Sequence, residues 1–374
     1  MDVKAFAPYR FSGADTLITP QLVFYRDTIE SNLDEIIRIA GGPDRLWPHV
    51  KSHKMIDCVR LQMKRGIRRF KCATIAEAEM LGMAGVSDAL LAYPLVGPNI
   101  ERFLTLIRMY PDTTFWAIGD SSTCAEELSA AACREGAAVH FLMDIDMGMH
   151  RTGVALCDAE SLYRQWASLP GLKLLGFHCY DGNRHEPEAG TRLERVRLCD
   201  RTVQEIRCRL TADGLSCDVL VMGGTPSFPC HAVCTHDYLS PGTGILQDKG
   251  YRDTFRDLAF HPAAILLTRV ISRPGRDLFT CDLGYKAVAA DPAGERAEIL
   301  GMEYARTVIQ NEEHWVLRVP EEHCSDIPEI GTLLYCIPTH ICPTSALYPS
   351  VPVVSGGVVT EWWDVTARNR KITV

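Results

Sequence analysis

The chain has little of what several large protein classes require. Long apolar runs are missing: stretches such as Asp88-Ala-Leu-Leu-Ala-Tyr-Pro-Leu-Val96 fall far short of a membrane span, so no transmembrane segment is expected. Basic charge is in deficit, with 39 Lys+Arg against 47 Asp+Glu and a net charge of −8. A nucleic-acid binder needs the opposite balance. The 15 cysteines include no Cys-x-x-Cys pair, and they are odd in number and scattered. They read as mostly buried, reduced thiols, which predicts a cytoplasmic protein rather than a disulfide-stapled secreted one. The opening Met1-Asp-Val-Lys-Ala-Phe-Ala-Pro8 lacks the apolar core of a secretory signal, in keeping with that expectation.

What is present is an ordinary globular composition, 47% hydrophobic and 23% charged over 374 residues. At roughly 150 residues per domain, that length predicts about two domains. From Leu46 the chain alternates short apolar runs with longer amphipathic ones. Strands are expected at Leu46–Val50, Arg69–Ala73, Asp88–Tyr93, Thr114–Ile118, Ala138–Asp146, Leu172–His178, Asp218–Met222 and Asp237–Ser240. Helical patterns lie between them, over Asp57–Arg65, Ile75–Met83, Asn99–Met109, a run to Arg134 capped by Ser121 or Ser122, and Arg192–Ala212. Eight strands alternating with helices count out a (β/α)8 TIM barrel of the α/β class, with an open doubly wound sheet as the rival. Gln21–Tyr25 reads as a strand and Thr28–Ala40 as a helix capped by Asp27, both entering the barrel. After about residue 255 the pattern changes to strands broken by Gly, Pro and Asp: Ala264–Ile271, Asp277–Cys281, Trp315–Val319, Leu333–Ile337, Val351–Val354 and Val358–Trp363. The expected division is a barrel over residues 20–250 and a mostly β domain formed by residues 1–19 and 251–374.

In a barrel the chemistry sits just after the strands, and the unusual residues fall there. Lys51-Ser-His53-Lys54 follows the first expected strand, Met147-Gly-Met-His150-Arg151-Thr-Gly153 the fifth, and His178-Cys-Tyr180-Asp181-Gly182 ends the sixth. Gly223-Gly224-Thr225-Pro226 follows the seventh and Pro241-Gly242-Thr243-Gly244 the eighth. The last two clusters suit a ligand phosphate held by bare backbone N–H groups and a hydroxyl, though either one alone also reads as a tight turn. Neither has the Walker or dinucleotide spacing. Lys51, at the end of a buried strand beside the cations His53 and Lys54, is a candidate nucleophilic amine for a Schiff base; its alternative is a solvated loop lysine. Arg151 is a candidate partner for a cofactor oxygen or for a structural carboxylate, and His150, His178 and Tyr180 are candidate acid/base groups or ring contacts. In Thr339-His340-Ile-Cys342-Pro343 an extended backbone would put His340 and Cys342 on one face, where imidazole and thiolate suit zinc. Spacing alone fits better a buried cysteine beside a surface histidine.

Together these residues resemble one family. Trp47-Pro-His-Val-Lys51-Ser-His53-Lys54 is similar to the Pro-His-x-Lys-x-His-Lys signature of D-threonine aldolases and D-serine dehydratases, which are alanine-racemase-like, fold-type III pyridoxal phosphate (PLP) enzymes. Cys72-Ala-Thr-Ile-Ala-Glu77-Ala-Glu79, Asp146-Met-Gly148-Met-His150-Arg151-Thr-Gly153, the two glycine turns, Asp282-Leu-Gly284-Tyr-Lys286-Ala287, Glu321-Glu322-His323 and His340-Ile-Cys342-Pro343 extend the likeness nearly end to end. The resemblance implies a PLP barrel followed by a mostly β domain, paired as a homodimer. It implies Lys51 as the Schiff-base lysine, with Lys51, His53 or His178 as base. Arg151 would lie near the cofactor's phenolic oxygen and Tyr180 near its ring, while Gly224, Thr225, Gly242 and Thr243 would hold the phosphate. His340 and Cys342 would bind a divalent metal, zinc or manganese, that contacts the substrate's β-hydroxyl.

The implied substrate is a small D-β-hydroxy amino acid, split by aldol cleavage or dehydrated. Ser240 stands where alanine racemases place an arginine facing the pyridine nitrogen, which argues against a plain racemase. The racemase alternative needs a second base, for which Tyr285 is the nearby candidate, and has no use for His340 or Cys342. A non-catalytic PLP-binding protein, the other alternative, would be a barrel alone.

Overall fold

The computed structural model describes Lys4 and residues 6–374 and divides the chain into two compact units. One holds Glu35–Lys51, Met55–Gly242 and Asn369–Val374. The other holds the described residues up to Asp34, together with Ser52–Lys54 and Thr243–Arg368.

The first unit is the barrel. Seven strands pair in chain order, every ladder parallel: Arg69–Cys72, Asp88–Leu91, Thr114–Gly119, Val139–Asp144, Leu172–Cys179, Val219–Met222 and Tyr238–Leu239. The expected first strand, Leu46–Val50, is not a strand. Leu46 makes a single parallel bridge to Leu239 and His49 one to Lys71, and a 3-10 turn begins at Val50. Pro48 explains the break, because it has no N–H to add to a ladder. The N–H groups of Trp47 and His49 reach the carbonyls of Leu239 and Pro241, and the Pro48 carbonyl accepts from Lys71. The segment therefore still joins the last strand to the first. Trp47 fills the ring's interior beside Leu90, Trp116, Ile118, Leu142 and Val221, its ring edge-on to Trp116 at 5.5 Å between centroids.

Helices Ile56–Lys64, Ile75–Ala84, Pro98–Met109, Ser122–Arg134, Leu156–Trp166, Ala189–Ala212 and Phe228–Cys234 alternate with the strands. The start at Ile75 is set by Thr74, whose hydroxyl accepts from the Glu77 N–H while the Glu77 carboxylate accepts from the Ala73 N–H. Of the two serines considered as a cap, Ser121 takes the role, accepting from the Cys124 N–H.

The second unit is built on a nine-stranded sheet. The expected strands form at Ala264–Gly275, Leu278–Cys281, Trp315–Arg318, Leu333–Pro338, Ser350–Ser355 and Val358–Asp364, with Ala297–Ile299 and Arg306–Gln310 added. Gln21–Tyr25 does not enter the barrel. It lies inside this sheet, antiparallel to Ala264–Gly275 and parallel to Ser350–Ser355. Leu22, Val23 and Phe24 are buried on both faces of the strand, a pattern that sequence cannot tell from a barrel strand. Asp27 does not cap the helix that follows, which already begins at Arg26. Its carboxylate accepts instead from the Ser355 hydroxyl and the Gly356 N–H. All the cysteines are free, and no described helix is long and apolar enough to cross a membrane.

Candidate active site

In the barrel unit Lys51, Arg151 and Tyr180 converge. The Lys51 Nζ lies 5.7 Å, and the Arg151 guanidinium carbon 5.2 Å, from the centroid of the Tyr180 ring. Lys51 does not end a strand, as expected, but sits half-buried in the turn that follows Pro48. Glycines make room for the ring: a Cβ on Gly182 would lie 2.4 Å from the Tyr180 hydroxyl, and one on Gly224 3.0 Å from the ring carbons. Gly224→Val should therefore displace Tyr180 and weaken binding of a ligand stacked on it by about tenfold or more. Fluorescence titration with PLP checks this, and unchanged affinity would move the ring contact elsewhere.

Behind Tyr180 lies a buried polar chain. The Nδ1–H of His178 donates to the Asp144 carboxylate at 2.7 Å, and the Thr152 hydroxyl donates to that carboxylate's other oxygen at 2.9 Å. Burial holds the His178 imidazole below its usual range despite Asp144, and the charge of Lys71 adds to that, so the ring is neutral near pH 7. Lys71 is a residue that reading the strand ends overlooks. It is 2% exposed, with Nζ 3.5 Å from His178 Nε2 and 5.3 Å from the Tyr180 centroid. Burial, then the Lys51 ammonium, push its amine down to about 7. The signal was there in Arg69-Phe-Lys71-Cys72: a lysine inside a strand rather than after one.

His150 lies on the loop that leads into Arg151. It is exposed, has a φ of 55°, and pairs with Asp146 at 2.7 Å. Asp146 also accepts from the N–H groups of Gly148 and His150, which folds the loop that presents Arg151. Gly153, with a φ of 107°, returns that loop where any Cβ would lie 2.4 Å from the Asp146 nitrogen.

The two glycine turns are tied to each other. The Gly242 N–H donates to the Thr225 hydroxyl and the Gly224 N–H to the Ser227 hydroxyl, each at 3.0 Å, so these two donors are engaged rather than bare as expected. Ser227 in turn donates to Asp181 at 2.5 Å. His231 sits between Asp181 and Asp200, at 2.9 Å from each, and is fully buried. Burial opposes its charge, but the two carboxylates overcome this and hold it up to about 10, so it is an imidazolium at neutral pH. Nothing in a short helical run such as Phe228–Cys234 marks that histidine in advance. Nearby in the chain, the Ser240 hydroxyl is buried without a hydrogen-bond partner. Cations around one tyrosine ring, an amine able to condense with an aldehyde, and an orphaned hydroxyl suit an anionic aromatic aldehyde, which PLP is.

In the β unit, His53, Thr243, His340 and Cys342 are found. The Cys342 Sγ lies 3.1 Å from the Ser52 hydroxyl and 3.4 Å from that of Thr243, so Thr243 meets the thiol. Thr339–Pro343 is not extended. The strand ends at Pro338, His340 is the last extended residue, and a one-turn helix runs Ile341–Ser345. Pro343 sits in the first turn of that helix, where no N–H is required. The side chains of His340 and Cys342 nonetheless hydrogen-bond. Burial lowers the His340 imidazole, but Cys342 and the carboxylates of Asp248 and Asp291 hold it up to about 9. Asp248 accepts from the Ile341 N–H at 3.1 Å and so fixes the turn. Among the described residues no three His, Cys, Asp or Glu side chains group around one point. The pair thus offers one imidazole and one thiol with the other positions open, a donor set that suits zinc. His53 is 1% exposed, and Tyr285 is 41% exposed beneath the Arg296 guanidinium.

Comparison with known proteins agrees with this fold. Residues 263–354 match the putative serine dehydratase domain. Over 357 residues the chain is 30% identical to a D-threonine aldolase of Arthrobacter sp, covering 94% of this chain and 92% of that one. It is 27% identical to the D-threo-3-hydroxyaspartate dehydratase of Delftia sp. (strain HT23), covering 93% and 97%. The crystal structure of D-threonine aldolase from Filomicrobium marinum superposes with a TM-score of 0.86 at 26% identity, covering 95% of this chain and 97% of that one. Residues 25–249, more than half of the chain, match the alanine racemase, N-terminal domain, and the chain belongs to that family.

Proposed function

We propose that the protein is a PLP- and divalent-metal-dependent lyase that cleaves D-β-hydroxy amino acids to glycine and an aldehyde. Dehydration to a keto acid and ammonia is the second reading, favoured by the likeness to the Delftia dehydratase. The observation that carries the proposal is the convergence of Lys51 and Arg151 on Tyr180, in a chain similar to a D-threonine aldolase over 94% of its length. Lys51 is the amine for the cofactor's aldehyde, Arg151 the partner of its phenolic oxygen, and Tyr180 its ring contact. PLP supplies, when bound, a sink for charge at Cα. His340 and Cys342 hold the metal, which supplies a Lewis acid for the β-oxygen. Asp144 keeps the proton of His178 on Nδ1, so that its Nε2 is an acceptor. A racemase reading leaves His340 and Cys342 without a task. A homodimer and a cytoplasmic location belong to the same reading.

The test is incubation of the protein with PLP and Zn²⁺ or Mn²⁺ against D-threonine, D-serine and their L-isomers, with the products identified. Glycine plus acetaldehyde from D-threonine is the expected result. His340→Ala or Cys342→Ala should lower this turnover by about a hundredfold or more while leaving the bound-PLP spectrum in place. Chelation should do the same, reversibly. Full turnover without metal would remove the metal from the reading and bring the racemase forward.

A further inference from the structure

We propose that Lys71 is a second working amine of this site, a proton acceptor for the reacting substrate, oriented by His178 and Asp144. The proposal rests on the lyase reading for the identity of the substrate. Lysine is seldom buried without a carboxylate partner. Lys71 is 2% exposed, and among the described residues its Nζ has one hydrogen-bonding neighbour, a neutral imidazole, His178 Nε2 at 3.5 Å. Asp144, at 2.7 Å from Nδ1, places the imidazole proton on the far side, so Nε2 accepts an N–H from Lys71. An amine that donates to Nε2 directs its lone pair away from His178. Reactive group, imidazole and carboxylate stand in line, as in other sites where a base is oriented by a third group.

The amine also lies over the ring that the anchoring lysine addresses: Lys71 Nζ is 5.3 Å and Lys51 Nζ 5.7 Å from the Tyr180 centroid. The charged groups that act on it are Lys51, Arg151, Asp144 and Asp181. Lys51 and Arg151 oppose its protonation, Asp144 and Asp181 favour it, and burial outweighs all of them. His49 bridges Lys71 through its backbone, and its Nδ1 accepts the Lys51 N–H at 3.2 Å. A free amine is thus present near neutral pH, and the ammonium that forms on proton uptake has two carboxylates to offset its charge.

In aldol cleavage the β-hydroxyl O–H breaks and its proton passes to Lys71 Nζ. The O–H electron pair becomes the aldehyde's C=O bond as Cα–Cβ breaks, and the pair from that bond passes to Cα. Lys71 then returns the proton to Cα, which completes glycine and restores the amine.

The experiment is an NMR titration of the protein carrying ¹³C-labelled lysine, without substrate, beside pH–rate profiles of wild type, Lys71→Met and Lys71→Arg. One lysine is expected to titrate near 7 in wild type and to be missing in Lys71→Met. The acid limb of kcat/KM should follow that titration. It should vanish in Lys71→Met, with a loss of about a hundredfold or more, and Lys71→Arg should not restore it. Should every lysine titrate above about 9, near the free value, or should Lys71→Met keep both rate and acid limb, the proposal is overturned. Because the titration uses no substrate, it decides the state of Lys71 even if the lyase reading fails, and the absence of the signal in Lys71→Arg assigns it should the Met variant fail to fold.

Discussion

Lys51→Ala is expected to lose turnover by about a thousandfold or more, because this side chain supplies the covalent anchor that positions the cofactor. The loss should come with a spectroscopic change: the near-visible band of the PLP–lysine adduct should vanish, and borohydride should no longer fix the cofactor. In wild type, borohydride reduction followed by peptide mapping should put the label on Lys51. The choice is a real one, since Lys54 follows three residues later and Lys71 lies over the same tyrosine ring. Lys54 has a φ of 57° and its carbonyl accepts from the Ala367 N–H, both marks of a turn-forming role. Lys71 is 2% exposed and held by His178. A label on either would transfer the anchor and leave Lys51 as an electrostatic neighbour.

His231→Gln should cost about 3–5 kcal/mol of stability, because it leaves Asp181 and Asp200 facing each other without the cation between them. The pH dependence has a definite sign. The imidazole is held up to about 10, above its free value near 6.5, so its contribution is fully present below about 6.5 and is lost as pH rises through about 10. Asp181 is held low by His231 and Ser227 against the effect of burial, so its share is present above about 3.9 and is lost as pH falls through its lowered value. The gap between wild type and variant in urea unfolding should thus be widest between those limits and narrow toward pH 10. A pH-independent gap, or one below about 1 kcal/mol, would show that the carboxylates do not depend on the imidazolium. Because Asp181 also receives the Ser227 hydroxyl that holds Gly224, the variant should lose PLP affinity as well.

The barrel was legible because alternation of short apolar and longer amphipathic runs has few other solutions, and glycine-rich or basic strand ends marked where chemistry would lie. Lys51, Arg151, Tyr180 and His178 were found this way and do share one unit of the structure. Three things were not legible. Pairing of Gln21–Tyr25 is decided by strands more than 200 residues away, which no local pattern encodes. The break at Pro48 was visible as a residue, but its effect on a barrel stave depends on both neighbouring strands. Lys71 and His231 owe their chemistry to burial among partners distant in sequence; a lysine inside a strand marks the first, while the segment of His231 looks ordinary.

The strand Gln21–Tyr25 leaves the ribosome before the barrel sequence, yet its neighbours Ala264–Gly275 and Ser350–Ser355 follow that sequence. During synthesis, Leu22, Val23 and Phe24 therefore wait with both edges of the strand unpaired while the whole barrel sequence is made. Such an apolar, unpaired edge is what aggregation recruits and what nascent-chain chaperones bind. The barrel segment can collapse as it emerges, because its contacts are between successive strands. The β unit cannot complete its sheet until those later strands are made, and the loop closed across the barrel sequence adds an entropic cost to that pairing.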